Sequence, residues 1–354
     1  IRYVVGGQVL RLTTDAAPGL VVNEVPFILE RTLTCILGPD EIPAEAPGAL
    51  GAHFHDETVR YWRDWVRYLA IPFEWQDVVI RAAITLRLCA FEETGGIVAA
   101  LTTSIPEFGA SGRTWDYRYC WLRDSFFTVR ALNRLGATLT MENYISYVTN
   151  VVARNGDREL QPLFGLQFED HVEEEIIGDL PGYRGFGPVR RGNGAYTQRQ
   201  NDGYGSVILA IAQCFFDERL LRRGDRALFA RLEALGYRAV ATWNTPDAGL
   251  WEFRALAYVH THSAAMCWAA CDRLARIALT LGLTDRATFW REHADAIREE
   301  IFARGWNNEL SSFVSRFDGN DVDASLLLLA DIGLVRADDP RFRSTVETIG
   351  EQLK

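Results

Sequence analysis

A mostly α-helical chain, wired as an (α/α) toroid of helix hairpins and preceded by the end of a β domain, is predicted by three observations. From about residue 75 onward, apolar residues recur at i, i+3, i+4 and i+7. The connections between those helical runs alternate long and short. The first 36 residues are instead rich in β-branched residues and broken by glycine and by Asp15–Ala16–Ala17–Pro18.

Residues 1–37 read as two or three strands, VVGGQVLRLTT and GLVVNEVPFILERTLTCIL. So few strands do not stand alone, so the segment reads as the C-terminal remnant of a β-sandwich domain. Residues 38–74 form a linker: a Pro/Gly/Ala stretch over 38–51, then an amphipathic connecting helix from His55 to Leu69. Residues 75–354 form the helical barrel, with helices at about 75–93, 124–136, 138–154, 203–222, 226–243, 263–281, 285–303, 323–333 and 340–354. Long connections at 94–123, 155–202, 244–262 and 304–322 alternate with short turns near 137, 223–225, 282–284 and 334–339. Short turns make antiparallel hairpins. Long links between hairpins gather on one rim, and connections of that length in a compact domain carry function. Nine helices are legible and a closed ring of six hairpins needs twelve, so the toroid reads as incomplete. About three helices and two long loops are expected past Lys354.

Bulk properties remove several classes. A net charge of −10, with no Lys/Arg cluster, is the wrong sign for a phosphate backbone, so nucleic acid is not an expected partner. No apolar run reaches the ~18 residues of a membrane span, so no membrane is expected either. Cys35, Cys89, Cys120, Cys214, Cys267 and Cys271 have no zinc or redox spacing. Cys267 and Cys271, four apart on a helix, read as buried small apolar residues. The expectation is a reducing compartment, the cytoplasm, with no cofactor and no metal.

The unusual residues fall in the long connections. TWDYRYCWLRD (114–124) offers aromatic faces at Trp115, Tyr117, Tyr119 and Trp121, with Asp116, Arg118, Arg123 and Asp124 to grip hydroxyls. The plainer role of Asp124 is a helix N-cap paired with an arginine. LPGYRGFGPVRRGNGAYTQRQNDGYG (180–205) lacks phosphate-loop spacing and suits a cleft wall or a surface loop. In GLWEFRALAYVHTHS (249–263), Glu252 lies between Trp251 and Phe253. A carboxyl desolvated by such neighbours stays protonated near neutral pH, as a general acid must. The plainer alternative pairs Glu252 with Arg254. His260 and His262 lack a partnering metal motif and read as hydrogen-bonding or packing groups. In GWNNELSSFVSRFDGNDVD (305–323), Asp321 and Asp323 support the cleft or cap the next helix.

Taken together, IVAALTTSIPE (97–107), TWDYRYCWLRD, LPGYRG (180–185), QNDGYG (200–205), GLWEFR (249–254), HTHSAAMCW (260–268) and DVDASLLLL (321–329) resemble glycoside hydrolase family 15, the glucoamylase, glucodextranase and bacterial trehalase group. The resemblance implies an (α/α)6 barrel preceded by a β-supersandwich domain. It implies an inverting, exo-acting hydrolase that releases glucose from the non-reducing end of an oligosaccharide or disaccharide α-glucoside. A trehalase of the same family, or a sugar-binding protein without the catalytic base, are the alternatives. By position, Glu252 matches the general acid, and Arg123 with Asp124 the pair that holds the terminal glucose. Trp251 and Leu250 match residues lining the sites near the cleaved bond. Trp115, Asp116, His260 and His262 lie in family motifs and are carried as substrate-binding candidates. The family's base, a Glu in the last long loop, has no match here and is expected past residue 354. Residues 1–354 alone are accordingly expected to be inactive.

Overall fold

The computed structural model describes residues 1–156 and 158–353. They form two compact units, Ile1–Leu69 and the chain from Ala70 onward.

In the first unit, β1 (Arg2–Val5), β2 (Gln8–Thr14) and β3 (Cys35–Pro39) form an antiparallel sheet in the order β1-β2-β3. Gly6 and Gly7 turn β1 into β2, both at positive φ, where glycine carries no Cβ penalty. The second run read as strand pairs only over its last residues, Cys35 opposite Thr14 through Pro39 opposite Leu10. Its beginning is a short helix, α1 (Pro18–Val22), because Pro18 at the first helical position presets the helical φ. The connecting helix α2 likewise starts earlier than expected. It spans Pro47–Arg67, opened by a proline that the composition had marked as linker.

The second unit is the helical one. Its helices are α3 (Gln76–Leu88), α4 (Leu122–Arg134), α5 (Thr138–Asn155), α6 (Asp202–Phe216), α7 (Arg226–Thr242), α8 (Thr261–Thr280), α9 (Thr284–Arg304), α10 (Leu328–Asp331) and α11 (Pro340–Gln352). These are nine among the described residues, as the periodicity predicts. The run read as a helix at 323–333 is split, a 3-10 turn over Ala324–Leu327 leading into α10.

Helix α4 packs on α6, α6 on α8 and α8 on α10, while α5, α7 and α9 each lie against their hairpin partner. This two-layered row is the arrangement expected of an (α/α) toroid. Two helices of the inner row, α6 and α8, are buried on nearly every side, as doubly covered helices are. Every residue from Asp202 to Ala212 of α6 is buried, as is every residue from Thr261 to Asp272 of α8. Small residues (Ala264, Ala265, Cys267, Ala269, Ala270, Cys271) let the neighbours of α8 approach closely, and both cysteines are free thiols.

Gly205 marks the tightest approach of α6 to α8. A Cβ there would stand 2.3 Å from the backbone carbonyl oxygen of Met266. Replacing Gly205 by Ala gains helix propensity of about 1 kcal/mol but forces two core helices apart. The expected net result is a loss of about 1–3 kcal/mol in chemical denaturation. A variant as stable as wild type contradicts this packing.

The long connections are pinned by two-stranded antiparallel ladders. These pair β4 (Thr103–Pro106) with β5 (Thr114–Asp116), β6 (Cys120–Trp121) with β7 (Leu163–Phe164), β8 (Glu175–Ile177) with β9 (Val189–Arg191), and β10 (Trp306–Asn307) with β11 (Ser312–Phe313). Antiparallel hairpins give α4, α6 and α8 the same direction, so the connections deliver their first turns to one rim. Among the described residues no helix is long and apolar enough to cross a membrane.

Candidate active site

The rim holds a cavity of about 710 Å³ whose walls include Trp115, Tyr117, Trp121, Arg123, Asp124, Leu250, Trp251 and Glu252. Strand β6 runs directly into α4, which fixes Trp121 and Arg123 relative to the helix axis. Asp124 is not the N-cap. Helix α4 begins at Leu122, so Asp124 falls within the first turn, where a carboxylate complements the helix dipole.

Glu252 is the hub. Its Oε1 accepts from the Trp121 indole N–H at 2.6 Å, from Arg123 Nη2 at 3.2 Å and from Gln200 Nε2 at 3.1 Å. No hydrogen bond to Oε2 occurs among the described residues. The backbone at Glu252 has φ +57°, a left-handed conformation that an L side chain occupies only under strain of about 1–3 kcal/mol. The three donors on Oε1, a turn closed by Glu252 N–H on the Gly249 carbonyl, and Gln198 Nε2 on the Glu252 carbonyl hold it there. Gly249 opens the turn at φ +67°, and a Cβ there would lie 2.6 Å from the His260 ring.

The expected cause of an unusual Glu252 environment is not the one found. Trp251 is 57% exposed and Phe253 is 41% exposed, and the groups that bond the carboxyl are Trp121, Arg123 and Gln200 instead. Arg254 does not pair with Glu252 either. It binds Glu174 at 2.7 Å and lays its guanidinium 4.1 Å over the Trp115 ring, so one face of Trp115 is taken by a cation.

Arg123 is buried and bonded by Nη1 to Asp202 Oδ2 at 3.1 Å and Gln200 Oε1 at 2.8 Å, with Asp124 at 3.9 Å. Burial works against its charge, but the carboxylates of Asp202, Asp124 and Glu252 outweigh it and hold its pKa above the usual arginine value. Asp124 opens into the cavity. Withdrawal from water raises its pKa, against the pull of Arg123.

Below the rim, Asp247 accepts from the Asn201 backbone N–H and the Ser263 hydroxyl, each at 2.8 Å. Burial, with the nearby Asp202 charge, pushes its pKa up to about 7. A carboxyl that binds its proton more tightly when folded stabilises fully below its unfolded pKa of about 4. That contribution is lost as pH rises through about 7. Asp247→Asn should therefore flatten the fall in stability between pH 5 and pH 8, read from denaturant midpoints. An unchanged slope contradicts the assignment.

The remaining sequence candidates separate. Asp116 does not line the cavity. It is fully buried, bidentate to Arg118 at 2.9 and 2.8 Å, and accepts from Gly192 N–H, so it anchors the loop behind the wall. His260 and His262 line a second chamber of about 210 Å³ that shares only Leu250, Trp251 and Phe253 with the first. Asp323 caps the 3-10 turn through Ser325 N–H at 2.7 Å. Trp121, read from the sequence only as an aromatic face, and Gln198, Gln200 and Asp202, given no role of their own there, complete the site. The available signal was that Gln200–Asn201–Asp202 leads into the start of α6, as Leu122–Arg123–Asp124 forms the first turn of α4. Among the described residues no three His, Cys, Asp or Glu side chains group as metal ligands.

The sequence profile of the glycosyl hydrolases family 15 matches residues 75–354, and the chain belongs to this family. It is 36% identical to a trehalase of Mycolicibacterium smegmatis over 84% of this chain and 44% of the relative. It is 34% identical to a trehalase of Thermoplasma acidophilum over 84% of this chain and 50% of the relative. The chain thus spans about half the length of the curated relatives it matches. A bacterial glucoamylase solved with acarbose shares the fold at TM-score 0.66 and 16% identity, over 90% of this chain and 47% of that one.

Proposed function

We propose that this chain carries the acid-bearing half of an α-glucoside-hydrolysing site whose substrate is trehalose. The observation that supports the chemistry most directly is the asymmetry at Glu252. Oε1 is held by three N–H donors, while Oε2 accepts no hydrogen bond among the described residues and is the oxygen left free for a glycosidic bond in the cavity. Arg123 and Asp124 grip hydroxyls of one glucose ring through charge-assisted hydrogen bonds. Glu252 Oε2 gives its proton to the glycosidic oxygen as the bond to the anomeric carbon lengthens, and the leaving ring departs as an alcohol. Inversion then requires water on the opposite face and a second carboxylate about 6.5–9.5 Å from the first to take its proton. That base is assigned to none of the described residues.

For the substrate, trehalose, the alternative in the sequence reading, is better supported than a glucoamylase-type glucoside. The relatives at 36% and 34% identity are named trehalases, whereas the glucoamylase likeness, at 16% identity, speaks for the fold alone. Six free cysteines fit a reducing compartment, the cytoplasm. The discriminating assay is glucose release from trehalose, maltose, isomaltose and dextran by the longest form of the protein that cleaves any of them. Trehalose should be cleaved fastest by a wide margin. Faster cleavage of any of the other three removes the trehalose reading.

A further inference from the structure

The second chamber lies on the other side of the segment that carries Glu252, and its chemistry is not used by the acid site. His262 is 3% exposed, and neither of its ring nitrogens meets a hydrogen-bond partner among the described residues. The same is true of Nε2 of His260. Leaving such groups unpaired is costly, so a set of them facing one chamber marks a place suited to a polar occupant. Asp323 stands opposite, accepting the Trp251 indole N–H at 2.5 Å. Arg316 lies 4.4 Å over the Tyr258 ring and 3.4 Å from Asp321.

We propose that this chamber binds one neutral hexose ring. Three features select that class. Burial lowers the pKa of both histidines, so each ring is a neutral imidazole with one donor and one acceptor, the complement of a hydroxyl. One arginine faces two aspartates, so the lining carries an excess negative charge that disfavours phosphates and carboxylates. A volume of about 210 Å³, against about 710 Å³ in the first cavity, suits a single ring. The occupant is either a free monosaccharide or the second ring of a disaccharide held across Leu250–Phe253. The second case rests on the sugar reading of the first cavity.

The test is nuclear magnetic resonance of the protein, because six histidines and ten tryptophans are the only side chains with aromatic-ring nitrogens. Glucose should shift the His260 and His262 imidazole resonances in wild type and equally in Asp124→Ala, which disables the first cavity. His262→Gln should weaken that second binding event about tenfold, the equivalent of one hydrogen bond. A sulfur-linked, uncleavable α,α-diglucoside distinguishes the sources. Trp121 and His262 signals saturating on one curve place both rings of one molecule. Two separate curves place an independent monosaccharide site. Movement of Trp121 with motionless His260 and His262 overturns the second chamber and spares the first. Histidine shifts that vanish in Asp124→Ala are transmitted from the first cavity and also overturn it. No movement at either place sinks both readings.

Discussion

If Glu252 is the proton donor of the proposed trehalose cleavage, replacing it by Gln is expected to lower turnover by about 10²–10⁴-fold while KM moves little, the signature of a lost proton donor. The amide oxygen still accepts from Trp121, Arg123 and Gln200, so the strained turn at φ +57° keeps its tethers. What changes is the other arm. An amide N–H there can hydrogen bond to the glycosidic oxygen but cannot surrender a proton to it as the bond breaks. The measurement is steady-state kinetics on the longest form of the protein that cleaves the sugar, with folding checked by circular dichroism. Undiminished turnover takes the acid role away from Glu252.

The second large effect is expected at Arg123. Truncation to Ala strips Asp202, already fully buried with Oδ1 unpaired, of the cation on Oδ2. Breaking one side of a buried pair costs about 3–5 kcal/mol, because the remaining charge is left uncompensated. The same change removes a donor from Glu252 and from the sugar. Stability and binding can be separated. The double variant R123M/D202L replaces both charges with apolar groups and should recover most of the stability in chemical denaturation, while glucose binding stays lost. Recovery of binding in the double variant contradicts a direct role for the guanidinium. A stable single variant contradicts the buried pair.

Helix periodicity and the alternation of loop lengths were legible because both follow from local chemistry. The predicted starts of α4 to α9 fall within two residues of those observed, since the apolar periodicity begins close to where each helix does. The errors share a cause. Pro18 and Pro47 read as breaks, yet each opens a helix, because proline's fixed φ suits the first turn. At the site, the sequence brought Glu252, Arg123 and Asp124 to notice, and the structure gathers them in one cavity. It offered the wrong reason. Adjacency made Trp251 and Phe253 the natural neighbours of the carboxyl, but side chains of consecutive residues in a turn diverge. The groups that contact it come from positions 121, 123 and 200. Such pairings across about 50 to 130 residues follow from helix packing and have no local pattern. The same holds for Arg254, whose nearest carboxylate in the chain is Glu252 but whose partner in space is Glu174.

Proton delivery by the unbonded oxygen of Glu252 is the central step of the proposed mechanism, and a change of leaving group isolates it. α-Glucosyl fluoride departs without protonation, whereas trehalose requires it. Glu252→Gln should cleave the fluoride at close to the wild-type rate and trehalose hardly at all. Equal loss on both substrates, or retained cleavage of trehalose, contradicts it.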